Sequence, residues 1–256
     1  MYKNLLAKFS KQIGVDLGTA NTLIYIPDQG IIVNEPSIVA INTKKDQMVA
    51  VGATAKNMLG KTPPHIQIIR PLIDGVISDY EVAEKMIQYF LHNVIQKKAG
   101  FIGRPTIIIG VPLEVTEVER KAVEDAALSA GAAKVYMVEQ PMAAAIGSRL
   151  PISEPTASMI VDIGGGTTDI AVISLSGIAT HRSLRQAGDE LTKSIVQFAR
   201  DEFNLIIGES VAENIKIRIG SATELEEPLT MNMRGRDVLS GLPKEVSVND
   251  EQIRKA

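Results

Sequence analysis

Two short segments of the chain repeat one pattern, in which an aspartate precedes a glycine-containing turn. The first is Asp16-Leu17-Gly18-Thr19-Ala20-Asn21, and the second, about 146 residues later, is Asp162-Ile163-Gly164-Gly165-Gly166-Thr167. Glycine lets a backbone approach a polyphosphate closely, and the N–H groups of such a turn donate to phosphate oxygens. The repeat therefore predicts two phosphate-binding turns that face each other and hold a polyphosphate from both sides.

The aspartate before each turn would repel phosphate directly. We therefore expect Asp16 and Asp162 to lie beside a cation, and their hard oxygen donors favour Mg²⁺ held largely through water. Either segment alone is also compatible with an ordinary β-turn. Two matched copies, each between two strand-like runs, favour the phosphate interpretation. The sequence has no Gly-x-x-x-x-Gly-Lys-Ser/Thr loop, and neither turn leads directly into a helix, as a dinucleotide fingerprint requires.

The composition excludes several other classes of protein. A chain of 256 residues with 45% hydrophobic residues can build a packed core in one or two domains. Because 27 basic residues face 30 acidic ones, the chain lacks the excess positive charge that holds a nucleic acid. The chain has no cysteine and only three scattered histidines, which excludes disulfides and thiolate metal sites and suits a reducing cytoplasm. No apolar run approaches the roughly 20 residues that cross a bilayer.

The apolar pattern predicts that each turn joins two strands and that the order of elements repeats. Strands are predicted at residues 13 to 17, 22 to 26, 31 to 33, 106 to 111, 135 to 138, 159 to 163 and 169 to 174. Residues 34 to 70, which include a β-like run at 37 to 41, read as a small inserted subdomain, and residues 235 to 243 as a loop-rich or β-like stretch. Three helices are predicted from capping boxes, Ser78 with Glu81, Thr116 with Glu119 and Ser210 with Glu213, and others near Pro141, Asp189 and Asn249.

Longer segments carry a family resemblance. They are Val15-Asp-Leu-Gly-Thr-Ala-Asn-Thr-Leu-Ile-Tyr25, Asn34-Glu-Pro-Ser37, Arg70-Pro-Leu-Ile-Asp-Gly-Val-Ile77, Pro141-Met-Ala-Ala-Ala-Ile-Gly147, Val161-Asp-Ile-Gly-Gly-Gly-Thr-Thr-Asp169 and Ile207-Gly-Glu-Ser210. Over its whole length the chain resembles the MreB family of bacterial actins. The resemblance implies an α/β, actin-like ATPase fold, a duplicated ribonuclease H-like fold with two lobes and four subdomains. It places residues 1–33 and 71–149 in subdomain IA, 34–70 in IB, 150–186 and 252–256 in IIA, and 187–251 in IIB.

The resemblance also implies a function. A member of this family binds ATP together with Mg²⁺, with GTP as the alternative nucleotide. It polymerises into double protofilaments on the inner face of the cytoplasmic membrane. There it determines rod shape by organising the cell-wall elongation machinery. MreB proteins continue past Ala256, so we expect a C-terminally truncated chain; if Ala256 is the natural end, weak ATP binding and little polymerisation are expected.

Two other classes share the paired hairpins. A sugar or acetate kinase would need a substrate pocket and a further catalytic aspartate, and no insertion in the sequence is large enough to build them. A chaperone of the seventy-kilodalton heat-shock class would need a downstream peptide-binding β-domain and a larger second lobe. The filament-forming interpretation is therefore favoured over both.

The resemblance assigns the remaining site residues. It places the nucleoside on the segment Glu213-Asn214-Ile215-Lys216 and the phosphates near Gly188-Asp189, although Ala187 stands where the family usually has a second glycine. At their spacing Glu213 and Lys216 share a helix face and could hold ribose hydroxyls and the base. The alternative for Glu213 is its structural role in a capping box.

The segment before Pro141 bears on hydrolysis, which needs a group that orients or deprotonates the attacking water. The family usually has Glu-Glu-Pro here, whereas this chain has Glu139-Gln140-Pro141. An amide cannot take a proton but can orient water, and conventional actins also have a glutamine at this point. The resemblance thus implies slow hydrolysis that depends on Gln140, unless Glu139 substitutes for it.

Two apolar segments resemble the family's membrane contacts. Residues 2 to 11 place Tyr2, Leu5, Leu6 and Phe9 on one helical stripe beside lysines, which is typical of a short interfacial anchor. Phe101-Ile102 forms an apolar loop tip between two glycines. The alternatives are a frayed terminus that packs loosely on the domain and an ordinary turn that covers the core.

Overall fold

The computed structural model describes residues 12–95 and 104–256. The segment 2–11 and the Phe101-Ile102 tip, both predicted to contact the membrane, lie outside the described residues. The chain divides into two compact units, Met1–Arg185 and Gln186–Ala256, and each is considered by itself. No helix in the described part of the chain is long and apolar enough to cross a membrane.

The first unit contains thirteen strands and four helices among its described residues. The strands are β1 (Gln12–Leu17), β2 (Asn21–Ile26), β3 (Gly30–Pro36), β4 (Val39–Asn42), β5 (Gln47–Val51), β6 (Ile66–Ile69), β7 (Leu72–Ile73), β8 (Val76–Ile77), β9 (Thr106–Val111), β10 (Lys134–Glu139), β11 (Ser158–Ile163), β12 (Thr168–Ser174) and β13 (Gly177–Leu184). The helices are α1 (Ala53–Lys56), α2 (Tyr80–Asn93), α3 (Glu117–Ser129) and α4 (Gln140–Gly147).

The main sheet has five strands in the order β10-β9-β1-β2-β3. The first predicted hairpin is confirmed, because β1 and β2 pair antiparallel, with Leu17 opposite Thr22. Strands β9 and β10 run parallel to β1 and to each other, and the crossovers between them contain helices α2 and α3. Alternate residues of β1 and β9, such as Ile13 and Ile107, are fully buried in the core that these helices complete.

Most of residues 34 to 70, where the sequence predicts an inserted subdomain, lie in a small β-rich region. A separate three-stranded sheet, β5-β4-β6, packs with α1 around a core of Ile38, Ala40 and Ala55. The predicted strand near residue 37 to 41 is β4, while β5 and β6 were not predicted. The carboxylate of Glu35 accepts a hydrogen bond from the N–H of Ala53 at 2.7 Å and so caps the start of α1.

The second predicted hairpin is also confirmed. Strands β11, β12 and β13 form an antiparallel sheet, in which β13 had not been predicted. Helix α4 begins with Pro141 in its first turn, as the sequence predicts, and its Ala145 packs on Ala171 and Ile173 of β12. This packing places the amino end of α4, which follows Glu139 directly, beside the hairpins.

Of the two helix starts predicted in this unit from capping boxes, one is confirmed and one is wrong. Thr116 and Glu119 form the full reciprocal box at the start of α3. At α2 the cap is Asp79, whose carboxylate accepts from the N–H of Val82 at 3.0 Å. Ser78 instead donates to carbonyl groups of the preceding segment, so its hydroxyl is used for a tertiary contact.

The second unit contains helices α5 (Gly188–Phe203), α6 (Glu209–Ile219) and α7 (Asp250–Lys255) and the antiparallel sheet β14 (Leu205–Ile206), β15 (Thr230–Asp237) and β16 (Pro243–Asn249). The stretch around Gly235 is therefore a strand. The predicted box of Ser210 with Glu213 is wrong, because α6 is already helical at Glu209 and follows Gly208 without a side-chain cap. The last helix begins as predicted, with Asn249 and Gln252 in a reciprocal box.

Candidate functional site

The two glycine turns lie in the first unit and are in direct contact. A Cβ added to Gly165 would lie 2.5 Å from the Cβ of Ala20, and one added to Gly166 would lie 2.9 Å from a methyl group of Thr19. Both distances are shorter than side chains tolerate, so only glycine lets the turns approach this closely. The structure thus brings Gly18 to Asn21 and Gly164 to Thr167 together, with no gap between Gly165 and Ala20.

Each turn is also tight in itself. The N–H of Gly164 donates to the carbonyl of Thr167 at 2.8 Å, which closes a hairpin with two residues in its loop. In the other turn, a Cβ on Gly18 would lie 2.7 Å from the carbonyl oxygen of Asn21. The glycines therefore serve two purposes, because they close each turn and admit the opposite one.

A third segment, the turn between β7 and β8, reaches both glycine turns. The N–H of Gly75 donates to the hydroxyl of Thr19 at 3.3 Å, and a Cβ on Gly75 would lie 2.7 Å from the methyl of Thr167. Asp74 and Gly75 both have positive φ, 50° and 77°. This contact was not predicted from the sequence. The turn itself has a sequence signal, because Asp-Gly between two short runs of apolar residues is typical of a two-residue hairpin turn.

The aspartates that precede the turns lie close enough to influence each other. Burial raises the pKa of Asp162, and the negative charges of Asp16 and Asp169 raise it further. Asp169 lies directly across the ladder from Asp162, is only 4% exposed and accepts a hydrogen bond from the hydroxyl of Thr167 at 3.2 Å. Three carboxylates therefore share one region, which a cation would stabilise.

Asp169 was not among the predicted site residues. Its position follows from the register of the hairpin. A two-residue loop at Gly165-Gly166 pairs Gly164 with Thr167, and counting back two residues on each strand pairs Asp162 with Asp169. The signal was present in the sequence once the loop length was known.

The donors at this site fit a magnesium ion that is bound mainly through water. Carboxylate oxygens are its preferred protein ligands, and Asp16 and Asp162 supply them beside the turns. Within residues 12–95 and 104–256, no three acidic, histidine or cysteine side chains are arranged to hold a metal directly. Coordination by one or two carboxylates, with water and phosphate completing the shell, is compatible with this arrangement.

Gln140, the first residue of α4, reaches the end of β1. Its Nε2 donates to Oδ1 of Asp16 at 2.8 Å and lies 3.5 Å from the carbonyl of Leu17. An ionised carboxylate only accepts, so the amide nitrogen must face Asp16 and the amide oxygen is left to accept from another donor. The structure thus brings together Gln140 and Asp16, which are 124 residues apart.

Glu139 lies beside Gln140 at the end of β10 but has a different neighbour. Its carboxylate is 3.9 Å from the guanidinium of Arg120 on α3, and its side chain is 41% exposed. An exposed pair at this distance contributes little to stability. Glu139 is therefore drawn to Arg120, while Gln140 is the residue in contact with the hairpin aspartate.

In the second unit, Gly188, Glu213 and Lys216 form one connected cluster through Thr192. The Lys216 ammonium lies 2.6 Å from the Glu213 carboxylate and 2.8 Å from the Gly188 carbonyl. The Thr192 hydroxyl, 2.6 Å from Glu213 and 3.0 Å from the Gly188 carbonyl, has one proton to donate, and the carboxylate is the stronger acceptor. Sequence analysis missed Thr192, for which the sequence offers no separate signal.

The other two residues of the predicted nucleoside segment differ in exposure. Ile215 is fully buried in the core of the second unit, so its side chain is unavailable to a ligand. Asn214 accepts a hydrogen bond from Arg218 one turn later at 3.0 Å. Of the predicted segment, Glu213 and Lys216 are the residues whose functional groups form the polar cluster with Gly188.

Comparisons with known proteins place these features in a family. The family model described as MreB/Mbl protein matches residues 10–256. The chain is 45% identical to the cell shape-determining protein MreB of Escherichia coli K12 over 260 aligned residues, covering 100% of this chain and 75% of that protein. It is 44% identical to the cell shape-determining protein Mbl of Bacillus subtilis 168, covering 97% of this chain and 74% of that protein.

A solved structure agrees with the sequence relatives. The crystal structure of MreB5 of Spiroplasma citri bound to ADP matches with a TM-score of 0.88 and 38% identity, over 96% of this chain and 73% of that one. A second crystal structure of MreB5, bound to AMPPNP, gives a TM-score of 0.86. The fold is accordingly the actin-like ATPase fold that the resemblance implied. The family model, the relatives and the fold agree, and the chain belongs to the MreB/Mbl family.

Proposed function

We propose that this chain is a nucleotide-binding cytoskeletal protein that helps to determine cell shape. The observation that carries the proposal is the direct contact between two glycine turns, each preceded by an aspartate, within one compact unit. Relatives named for cell shape and a relative solved with ADP and AMPPNP support it. ATP is the proposed ligand, with GTP as the alternative.

In this proposal the phosphates lie along the N–H side of the turns Gly18 to Asn21 and Gly164 to Thr167, beside the contact between Gly165 and Ala20. Turn N–H groups are favourable donors to phosphate oxygens. When bound, Mg²⁺ would offset the charge of the phosphates and of the aspartates. Within the protein, Gln140 holds Asp16 by a hydrogen bond, and strand pairing holds Asp162 opposite Asp169.

For the nucleoside we propose Glu213 and Lys216; Lys216 also donates to the carbonyl of Gly188, the residue predicted to lie near the phosphates. Their functional groups already satisfy one another at 2.6 to 3.0 Å, so the cluster is ordered before any ligand contact. A ribose hydroxyl can join such a network because it both donates and accepts. Asn214 would contribute through its side-chain amide, because the backbone groups of Asn214 and Ile215 lie inside helix α6 and are used in its own hydrogen bonds.

For hydrolysis we propose Gln140 as the residue that orients the attacking water. Its amide nitrogen is held by Asp16, which fixes the side chain and leaves the oxygen as an acceptor for a water proton. Orientation without a general base implies slow hydrolysis. Glu139 is the alternative base, and its position beside Arg120 makes it the weaker candidate.

The larger-scale part of the proposal comes from the family. We propose that the protein polymerises into double protofilaments on the inner face of the cytoplasmic membrane and there organises the cell-wall elongation machinery. Membrane contact would involve residues 2–11 and Phe101-Ile102. Many weak contacts displayed along a filament would hold it to the membrane by multivalency.

Isothermal titration with ATP and Mg²⁺, followed by sedimentation of the protein with and without nucleotide, tests the proposal. We expect saturable binding and nucleotide-dependent pelleting. Adenosine titrated in parallel is the control, since it lacks the groups that the turns are proposed to hold. ATP that binds no better than adenosine would refute the assignment of the glycine turns.

A further inference from the structure

The first glycine turn is held from its inner side by Ser37, the residue that directly follows β3. Ser37 is 1% exposed, and its hydroxyl donates to the carbonyl of Gly18 at 2.6 Å. Its backbone N–H donates to the carbonyl of Ala20 at 3.0 Å. A single residue therefore binds two carbonyl groups of the turn.

Thr22 fixes the direction of these hydrogen bonds. Thr22 is also 1% exposed, and its hydroxyl lies 2.9 Å from that of Ser37. A carbonyl only accepts, so the one hydroxyl proton of Ser37 goes to Gly18, and Thr22 must be the donor to Ser37. Among the described residues no buried side-chain nitrogen or oxygen lacks a partner, so this chain of donors is complete.

Because the peptide unit is planar, holding these carbonyl groups inward also fixes the direction of the N–H groups that follow them. In a planar trans peptide the carbonyl of one residue and the N–H of the next point in opposite directions. Because the Gly18 carbonyl is held toward Ser37, the N–H of Thr19 points away from Ser37. The same argument applies to the Ala20 carbonyl and the N–H of Asn21.

We propose that Ser37 is a positioning residue for phosphate binding: by holding the carbonyls of Gly18 and Ala20 inward, it aims the N–H groups of Thr19 and Asn21 at the terminal phosphates of a nucleoside triphosphate. Thr22 supports it by orienting its hydroxyl. This inference rests on the proposed function, because it names the residue that shapes one of the two phosphate turns. Ser37 itself does not touch the ligand.

The test is the affinity of Ser37→Ala for ATP and for AMP, which lacks the terminal phosphates. We expect ATP to bind about tenfold more weakly, the scale of one misdirected hydrogen bond to a charged group, and AMP to bind as it does to the unaltered protein. A merely structural role would weaken both ligands alike. AMP is measured by competition against a fluorescent ATP analogue.

Ser174→Ala is the matched control, since Ser174 also donates its hydroxyl to a backbone carbonyl of the same unit, that of Pro155, but lies at the end of β12 that is opposite the second glycine turn. It should leave the ratio of ATP to AMP affinity unchanged. Thr22→Val serves if Ser37→Ala does not fold, with an expected weakening of ATP binding of about threefold, and Thr22→Ser should restore the affinity.

Three outcomes overturn the inference. The first is an unchanged ratio of ATP to AMP affinity in a folded Ser37→Ala variant. The second, when Ser37→Ala does not fold, is an unchanged ratio in Thr22→Val. Either result overturns this inference and leaves the proposed function standing. If the unaltered protein binds no ATP, the proposed function fails and this inference fails with it.

Discussion

The two glycine-turn hairpins have the same backbone design but place their aspartates in different surroundings. Asp16 is exposed, faces Leu23 across the ladder and receives a hydrogen bond from the Gln140 amide. Asp162 is half-buried and faces a second carboxylate, Asp169, and its pKa is raised by burial and by its acidic neighbours. The first carboxylate has a hydrogen-bond donor within the protein. The second is destabilised, so the second hairpin is the one that most needs a cation.

Removal of each charge tests this comparison with the largest expected effect. Asp162→Asn and Asp16→Asn should each weaken Mg²⁺-dependent ATP binding by about tenfold to a hundredfold, the range for groups that support a bound metal. Isothermal titration with and without Mg²⁺ measures it. An Asp162→Asn variant that keeps both its ATP affinity and its Mg²⁺ dependence would contradict a role for this carboxylate at the cation.

The two variants should differ in stability without ligand. Asp162→Asn removes an unfavourable charge and should raise the free energy of unfolding by up to about 1 kcal/mol, as happens at sites where function opposes stability. Asp16→Asn replaces the charged acceptor of the Gln140 amide by a neutral one and should lower that free energy by about 0.5 kcal/mol, since the site is exposed. Urea unfolding without nucleotide compares them, and equal shifts would show that the two environments do not differ.

The contact between the turns gives the largest expected effect on stability. A Cβ at Gly165 would meet Ala20 at 2.5 Å, so Gly165→Ala must push the turns apart and should cost about 2 kcal/mol of stability. Gly147→Ala is the matched control, because a Cβ there has no neighbour within 4 Å. Chemical denaturation measures both. Equal stability of the two variants would mean that the turns are not in contact in solution.

Gln140, which donates to Asp16, gives a test with a smaller expected effect, measured as a rate. Gln140→Glu introduces a group that can take a proton, and we expect single-turnover ATP hydrolysis to become about tenfold faster, below the usual range for general bases because Asp16 repels the new carboxylate. Glu139→Gln is the control and should leave the rate unchanged. Equal rates for Gln140→Glu and the unaltered protein would refute the role of Gln140, and a large loss in Glu139→Gln would transfer that role to Glu139.

The smallest effect is a pH dependence. The pKa of Asp162 is raised from its ordinary value of 3.8. Between that value and the raised pKa the folded state binds more protons than the unfolded state, so the free energy of unfolding falls as pH rises. In acid below that value Asp162 is protonated in both states and costs nothing. The stability advantage of Asp162→Asn over the unaltered protein should therefore be small at about pH 3 and reach its full value, up to about 1 kcal/mol, at about pH 7. An advantage that does not change with pH would exclude the raised pKa as its cause.

Helix starts show where sequence patterns succeed and where they fail. The box predicted at Thr116 formed, although Glu119 also accepts a hydrogen bond from the N–H of Ile77, and the helix predicted near Asn249 begins with a box of its own. Ser78 fits the same pattern, but its hydroxyl is taken by carbonyls of the preceding segment and Asp79 caps the helix. Glu213 likewise is drawn to Thr192 and Lys216 rather than to a cap. A local rule predicts the cap only when no tertiary partner binds the side chain more strongly.

The sequence by itself determined both hairpins and the main alternation of strands and helices, because these follow from local patterns of glycine, aspartate and apolar residues. The family followed from the resemblance that longer segments carry. Tertiary structure alone decided which distant groups meet. It put Gln140 on Asp16, and it put Ser37 under the first turn and Gly75 against it. The physical reason is that long-range hydrogen bonds depend on how whole elements pack, and no spacing along the chain records it.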